Sequence, residues 1–390
     1  MRILFTTTRG AGHFGPLVPF IRACSRAGHD VLVGGVPRVA PLAERAGFAF
    51  RALPVAPEDE VAALWEPVFS LPAKEQDAHV VREIFAGCHA RAALLGTLAL
   101  VDEWGAELVV HESSEFSGPV AAERRGVPHA TVGAYLVARN DDLSAEVAAP
   151  RVDELRAGVG LEPDPRGERI RRAPLLTQAP RSLDDPPGAT ICEAVRFREE
   201  RPSSSPPLPF PSPPLWGGSD EPLVYLSFGT EVPTMDFFPG LYQAAIGALA
   251  DLPVRVLVTI GDTRDPAELG PLPQTAHVER WMPQGAVMPH AAAMIGHGGS
   301  GSSLTALTWG VPMALMPLFA DQGTNAGRVA EAGAAVVLEG GPPAAAGLGK
   351  AVRSLLSEAR YRQGAERIRD EIAALPPIDE SVEVLTALGA

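Results

Sequence analysis

Residues 201–222, RPSSSPPLPFPSPPLWGGSDEP, hold eight prolines in 22 positions. Proline lacks an amide hydrogen and fixes φ, so the stretch can continue neither a helix nor a central strand and favours extended, polyproline-like backbone. It divides the chain, and the same text runs on either side of it. Before it come RILFTTT, the helix PLVPFIRACSRA stopped by Gly28, DVLVGG, and VAPLAERA stopped by Gly47; proline opening a helix and glycine closing it are the expected punctuation. A helical run at about 79–103 leads into AELVVHE, a helix from about Ser117 to Arg125, and PHATVG. After it come PLVYLSFGT, a helix near 237–250, VRVLVTIGD, AMIGHGG, SSLTALTWG, VPMALMP, a helix from about Asp321 to Ala332, AAVVLEG, and helices through about 344–374. Strand, crossover, strand implies parallel sheets with helices on both faces, an α/β fold of two doubly wound domains. The boundaries are 1–201, a linker over 202–221, and a second domain from 222 to 374.

The 390 residues suffice for two or three domains. With 33 Lys and Arg against 47 Asp and Glu, the net charge of −14 predicts no general attraction to nucleic acid or anionic lipid. Cys24, Cys88 and Cys192 are odd in number, far apart and in no C-x-x-C pattern, which argues for reduced, core-packed thiols in a cytoplasm. MRILFTTTRG has too short an apolar run for a signal peptide, and AALLGTLALV at 92–101 is half a membrane span. The expectation is a soluble cytoplasmic protein, a monomer or a homodimer, with no membrane partner.

The first strand runs into RGAGHFGPLVPF, where Gly10, Gly12 and Gly15 make a formal G-x-G-x-x-G. A dinucleotide site would need an acid at the end of the second strand to hold a ribose hydroxyl. That strand ends in Gly34, Gly35, Val36, Pro37 and Arg38; Arg38 is left as the one partner for a 2′-phosphate, so an NAD(P)-dependent oxidoreductase survives only as an alternative. The turn also carries His13, at the edge where parallel sheets place ligands, and an imidazole there can accept a hydroxyl proton near neutral pH. A capping or buried histidine is the competing reading.

The segment MIGHGGSGSSLTALTWGVP, 294–312, has the build of a phosphate site: strand, glycine turn, helix, strand. Gly298, Gly299 and Gly301 clear side chains so that backbone N–H groups, with those of Ser300, Ser302 and Ser303, can face an anion at the positive end of a helix. His297 adds a donor. The spacing of a P-loop is absent. Trp281, in RWMPQ, can stack on a base, and Asp321 with Gln322, in PLFADQGTNAGRV, offers an acceptor and an amide to a polyhydroxylated ring.

This order of parts resembles the nucleotide-sugar-dependent glycosyltransferases of the two-domain GT-B fold, in particular bacterial enzymes that glycosylate natural products. The resemblance spans nearly the whole chain, from RGAGHFGPLVPF through RWMPQ and GHGGSGSSLTALTWGVP to FADQGTNAGRV. It implies two Rossmann-like domains facing each other across a cleft, acceptor on the first and nucleotide sugar on the second, with a C-terminal helix over 375–390 crossing back to the first. By it, Trp281 stacks the base and backbone groups of Met282 read its edge. His297 and the turn through Gly298, Gly299, Ser300, Gly301 and Ser302 hold the diphosphate, helped by Thr230, while Asp321 and Gln322 bind the sugar. His13 becomes the general base of an inverting transfer, oriented by a carboxylate from LVVHES, with Glu112 preferred over Glu115 and His111. No metal cofactor is implied, and Asp141–Asp142 and Asp184–Asp185 are expected to be solvated.

Many relatives that use uridine diphosphate sugars carry a glutamate where this chain has Thr305, which favours a thymidine diphosphate (deoxy)sugar as donor. Trp65, Phe69, His79 and Tyr135 are candidates to line an apolar pocket for a flat or macrocyclic acceptor, or to be core. A sugar-nucleotide epimerase of similar architecture and a non-catalytic sugar-nucleotide-binding activator are the remaining alternatives.

Overall fold

The computed structural model describes residues 1–185, 190–199 and 220–389. It divides into two compact units, Met1–Glu200 with Leu375–Ala390, and Arg201–Ala374. The linker expected over 202–221 lies outside the described residues except at its last two positions.

The first unit is a seven-stranded sheet built from β1 (Arg2–Thr7), β2 (Asp30–Gly35), β3 (Phe50–Ala52), β4 (Leu108–Glu112), β5 (His129–Val132), β6 (Leu175–Thr177) and β7 (Val195–Arg196). Its order is β3-β2-β1-β4-β5-β6-β7, and every pairing is parallel. Successive side chains of β1 point to opposite faces. Leu4 therefore packs with Leu32, Val109 and the helices over 80–104, 117–125 and 138–158, while Ile3 and Phe5 pack with Leu17, Phe20 and Ile21 on the other side. The C-terminal segment closes that second face. Ile378 and Leu385 are buried in it, and Arg198 and the segment exchange backbone hydrogen bonds, Arg198 N to Pro376 O at 2.9 Å and Ile378 N to Arg198 O at 2.8 Å.

The second unit is a six-stranded parallel sheet of β8 (Leu223–Ser227), β9 (Arg255–Thr259), β10 (Ala276–Glu279), β11 (Ala291–Gly296), β12 (Met313–Leu315) and β13 (Ala335–Val337), in the order β10-β9-β8-β11-β12-β13. Val224, Leu226, Val256, Val258 and Ile295 form its core with the helices Gly240–Gly247 and Leu348–Ser357.

Three expectations are corrected. The run read as one helix at 79–103 is part of a longer one, Glu75–Trp104, long and apolar enough by length and composition to cross a membrane rather than half of one. Most of its most apolar stretch is buried in the fold, as in a core helix, and Val80–His89 within it is π-helical. Asp141, Asp142 and Asp184 are not solvated. Asp141 and Asp142 are buried; Asp142 accepts from Arg139 at 2.7 Å and from Arg171 at 2.9 and 3.0 Å, and Asp184 pairs with Arg196. Buried carboxylates need such partners; Arg139 is an i, i+3 neighbour of Asp142, but Arg171 and Arg196 lie 29 and 12 residues from the acids they pair with, which is why the text concealed them. All three cysteines are free, but only Cys24 and Cys88 are buried.

Candidate active site

In both sheets the chain order reverses beside the first strand, between β1 and β4 and between β8 and β11. Open parallel sheets bind ligands at such switch points, beyond the carboxyl ends of the strands. His13 and Glu112 stand at the first of these edges, and Thr230 and the turn from His297 to Ser302 at the second.

At the first edge, β1 ends in Thr6 and Thr7, and the chain passes through Thr8 and Gly10, the latter at φ +84°, into a short helix, Ala11–Phe14, that carries His13. Nδ1 of His13 lies 3.2 Å from Oε2 of Glu112, the last residue of β4. The Glu112 side chain has no exposure, whereas His13 is 23% exposed. Glu112 also accepts from Thr8 N (3.3 Å), Thr8 Oγ1 (2.8 Å) and Ser114 N (2.8 Å). Burial alone would raise its carboxyl, but the facing His13 and the donors from Ser114 and Thr8 hold it below the ordinary value. It is an ionised acceptor aimed at an imidazole.

The rival residues are engaged elsewhere. Glu115 accepts from Thr6 Oγ1 and from the backbone N–H groups of Ser117 and Gly118, at the start of the Ser117–Arg125 helix. Burial pushes its carboxyl up. His111 is buried against the Glu112 carbonyl and Thr131 Oγ1, so it faces away from the turn.

Around His13, Phe85 packs edge-on at 5.2 Å between ring centroids, and His89 lies 6.1 Å beyond it; both come from the π-helical stretch. Sequence reasoning missed both, because an i, i+5 helix has no distinct signature in an apolar run. Arg9 covers the Trp65 ring at 5.2 Å, and the Tyr135 hydroxyl meets Ser114 Oγ at 3.3 Å. Trp65 and Tyr135 are thus tied to residues flanking the His13 turn and Glu112. His79 is not: its Nε2 is engaged by the Leu64 carbonyl at 2.9 Å. The Phe69 side chain lies outside the described residues.

At the second edge, β8 ends in a turn with Gly229 at φ +79° and Thr230 exposed, and β11 runs into His297 and the glycine turn. The His297 ring is wedged between two glycines. A Cβ at Gly229 would stand 2.8 Å from its Cε1, and one at Gly299 2.5 Å from its Nε2. Burial keeps this imidazole neutral, with its pKa pushed down to about 4. The helix Ser300–Thr308 starts directly after Gly299 without a side-chain cap, so its first amides, those of Ser300, Gly301 and Ser302, have no intrahelical partner. Such amides favour an anion. Ser302 Oγ accepts from Gln284, which joins the loop bearing Trp281 and Met282 to this turn; Trp281 is exposed.

Behind the turn, Ser300 Oγ donates to Asp321 Oδ2 at 3.0 Å. Gln322 is buried, and its Oε1 accepts from the N–H groups of Leu318 and Phe319 at 2.9 and 3.2 Å. Thr305 Oγ1 donates to the Gly301 carbonyl at 2.8 Å. Among the described residues, no group of three or more His, Cys, Asp or Glu is arranged to hold a metal ion.

Residues 243–388 match the family of the erythromycin biosynthesis protein CIII-like C-terminal domain. Over 379 residues the chain is 31% identical to the L-demethylnoviosyl transferase of Streptomyces niveus, an alignment covering 96% of this chain and 95% of that protein. The chain belongs to the glycosyltransferases of antibiotic biosynthesis. This glycosyltransferase has the GT-B architecture. It aligns with the glycosyltransferase SnogD from Streptomyces nogalater at 27% identity and a TM-score of 0.78, covering 100% of this chain and 99% of that one. With glycosyltransferase VinC, solved in complex with dTDP, the identity is 25% and the TM-score 0.74, over 100% and 99% of the two chains. Membership sets aside the oxidoreductase and epimerase alternatives for this glycosyltransferase.

Four of its histidines carry a stability consequence. Burial pushes His89, His111 and His297 down to about 4 and His129 to about 3. Unfolding returns each to roughly 6.5, so between pH 6.5 and 4 the unfolded chain binds protons that the folded one refuses, and stability falls as pH falls. Asp141, pushed up to about 8 by burial, with Glu115 and Glu199 also raised, works in the opposite sense, whereas His29, Glu83 and Glu112, all held below their ordinary values, add to the loss on acidification. The thermal midpoint should peak near pH 6.5 and drop on acidification. Calorimetry showing a flat or rising midpoint from pH 6.5 to 4.5 would contradict the neutral burial of these rings.

Proposed function

We propose that this glycosyltransferase moves a sugar from a thymidine diphosphate donor to a hydroxyl of a small natural-product aglycone, inverting the anomeric carbon, with His13 as general base. The observation that carries the reading is the His13–Glu112 pair at the switch point of the first sheet. With Nδ1 directed at the carboxylate, Nε2 is the atom left to take the acceptor proton. The acceptor oxygen then bonds to C1 of the sugar, the bond from C1 to the phosphate oxygen breaks, and the diphosphate leaves with that electron pair. Glu112 stabilises the imidazolium that results.

Negative charge growing on the leaving group is met by the uncapped amides at 300–302 and by His297, groups already in place before the reaction. The scheme takes no metal. Asp321 and Gln322 hold the sugar, Trp281 and Met282 the base, and Thr230 adds a hydroxyl to the diphosphate. Trp65 and Tyr135, with Phe85, flank the aglycone.

Two observations support a thymidine donor. Position 305 offers no carboxylate to a pair of ribose hydroxyls, and the Thr305 hydroxyl hydrogen is already given to Gly301. The relative VinC was solved with dTDP. Turnover with thymidine and uridine diphosphate forms of one sugar, with products detected by mass against a panel of polyketide aglycones and with EDTA present, tests the reading. The thymidine form should be preferred. A strong uridine preference overturns the donor assignment, and no transfer from either overturns the transfer reading.

A further inference from the structure

We infer that Asn325 is a positioning residue that locks the diphosphate turn to the sugar-binding acid, so that one rigid piece holds both parts of the donor. This deepens the donor reading above and rests on it for the roles of Asp321 and the 297–302 turn.

Asn325 stands one helical turn after Asp321, on the same face of the Gln322–Glu331 helix, and is fully buried. Its Nδ2 donates to the Gly298 carbonyl at 2.9 Å and to Asp321 Oδ2 at 2.8 Å, and Ser300 Oγ lies 3.2 Å away. Ser300 Oγ in turn donates to the same Asp321 oxygen. One amide group therefore touches the backbone of the turn, the first residue of its helix, and the acid. The orientation is dictated by chemistry. A carbonyl and a carboxylate only accept, so the amide must show them its NH2; reversed, it would set oxygen against oxygen.

That choice leaves Asn325 Oδ1 buried with no partner. An unsatisfied buried carbonyl is unfavourable, and a residue needed only to fill space on a buried helix face would be apolar. What the amide does for Gly298, Ser300 and Asp321 is the compensation. A second tie lies alongside: Gly298, at φ +87°, comes so near Gln322 that a Cβ there would stand 2.7 Å from the Gln322 carbonyl oxygen. The turn and the Asp321–Gln322 pair are thus joined by hydrogen bonds and by close backbone packing, with the Asn325 amide at the centre.

The test compares the wild-type chain with Asn325→Asp and Asn325→Ala. Calorimetry gives Kd for thymidine diphosphate and for thymidine diphosphate glucose, and hydrogen exchange in the nucleotide-free chain follows the amides of 303–306, the first of the turn's helix to have an intrahelical acceptor, Ser303 N donating to Gly299 O at 3.0 Å. Asn325→Asp sets a carboxylate against Asp321 and the Gly298 carbonyl. It should weaken the sugar nucleotide at least about ten-fold, and more than it weakens thymidine diphosphate. The amides of 303–306 should exchange faster in both variants while those of β8 stay protected. Unchanged exchange at 303–306, or an equal loss for both ligands, overturns the lock. If Asn325→Asp does not fold, Asn325→Ala decides by the same two readouts. Should the wild-type chain bind neither nucleotide, the donor reading fails by itself; the exchange result, which needs no ligand, still supports or overturns the tie between Asn325 and the turn.

Discussion

Replacing His13 with alanine lowers turnover by about 10²- to 10⁴-fold while donor affinity stays nearly intact, the range expected when a positioned general base is removed. The imidazole sits on the first sheet's edge with one nitrogen committed to Glu112 and the ring partly exposed. Nothing in the second unit's turn, where the diphosphate is proposed to lie, depends on it. A phenolic acceptor, far more acidic than an aliphatic alcohol, needs less help from a base, so the loss should shrink for a phenol and stay large for an aliphatic alcohol. Steady-state kinetics with both acceptor types, alongside donor Kd by calorimetry, separates the two effects. Full activity with an aliphatic acceptor would remove His13 from the base role.

Glu112→Gln should cost on the order of 10²- to 10³-fold in turnover, again with donor affinity unchanged, because a neutral amide neither stabilises an imidazolium nor holds its tautomer as a carboxylate does. Geometry makes the substitution harder than its size suggests. The native side chain accepts four hydrogen bonds, from Thr8 N, Thr8 Oγ1, Ser114 N and the His13 ring. Glutamine must turn its NH2 toward one of these sides. Facing His13, it would meet Nδ1 as a donor and favour the tautomer with hydrogen on Nε2, which cannot take the acceptor proton. Facing Thr8 instead, it would set donor against donor in a buried site. The check is kcat for the variant together with its thermal midpoint. A loss below ten-fold in kcat in a chain that remains folded would make Glu112 a structural acceptor only.

Much of this was legible before the structure. The strands carrying the site, β1, β4, β8 and β11, are runs of apolar residues ending in threonine, glutamate, serine and glycine respectively, and such text has few readings other than a buried parallel strand. The short outer strands β3, β6, β7 and β10 carry too few residues for their periodicity to register. Asp321–Gln322 and the glycine turn were readable because glycine spacing and helix starts are local chemistry. Partners across the sheet were not. Phe85 and His89 reach the His13 turn through a π-helical stretch written as ordinary apolar sequence, and Asp142 and Asp184 are buried by arginines, Arg171 and Arg196, that no spacing pattern links to them. Asn325 left one faint signal, its i, i+4 spacing from Asp321, which places the two on one helix face.

A crystal of the chain grown with thymidine diphosphate tests the central claim most directly. Both phosphates should lie within hydrogen-bonding reach of the amides at 299–302, with the His297 ring beside them and the base on Trp281. A nucleotide bound away from that turn would contradict it.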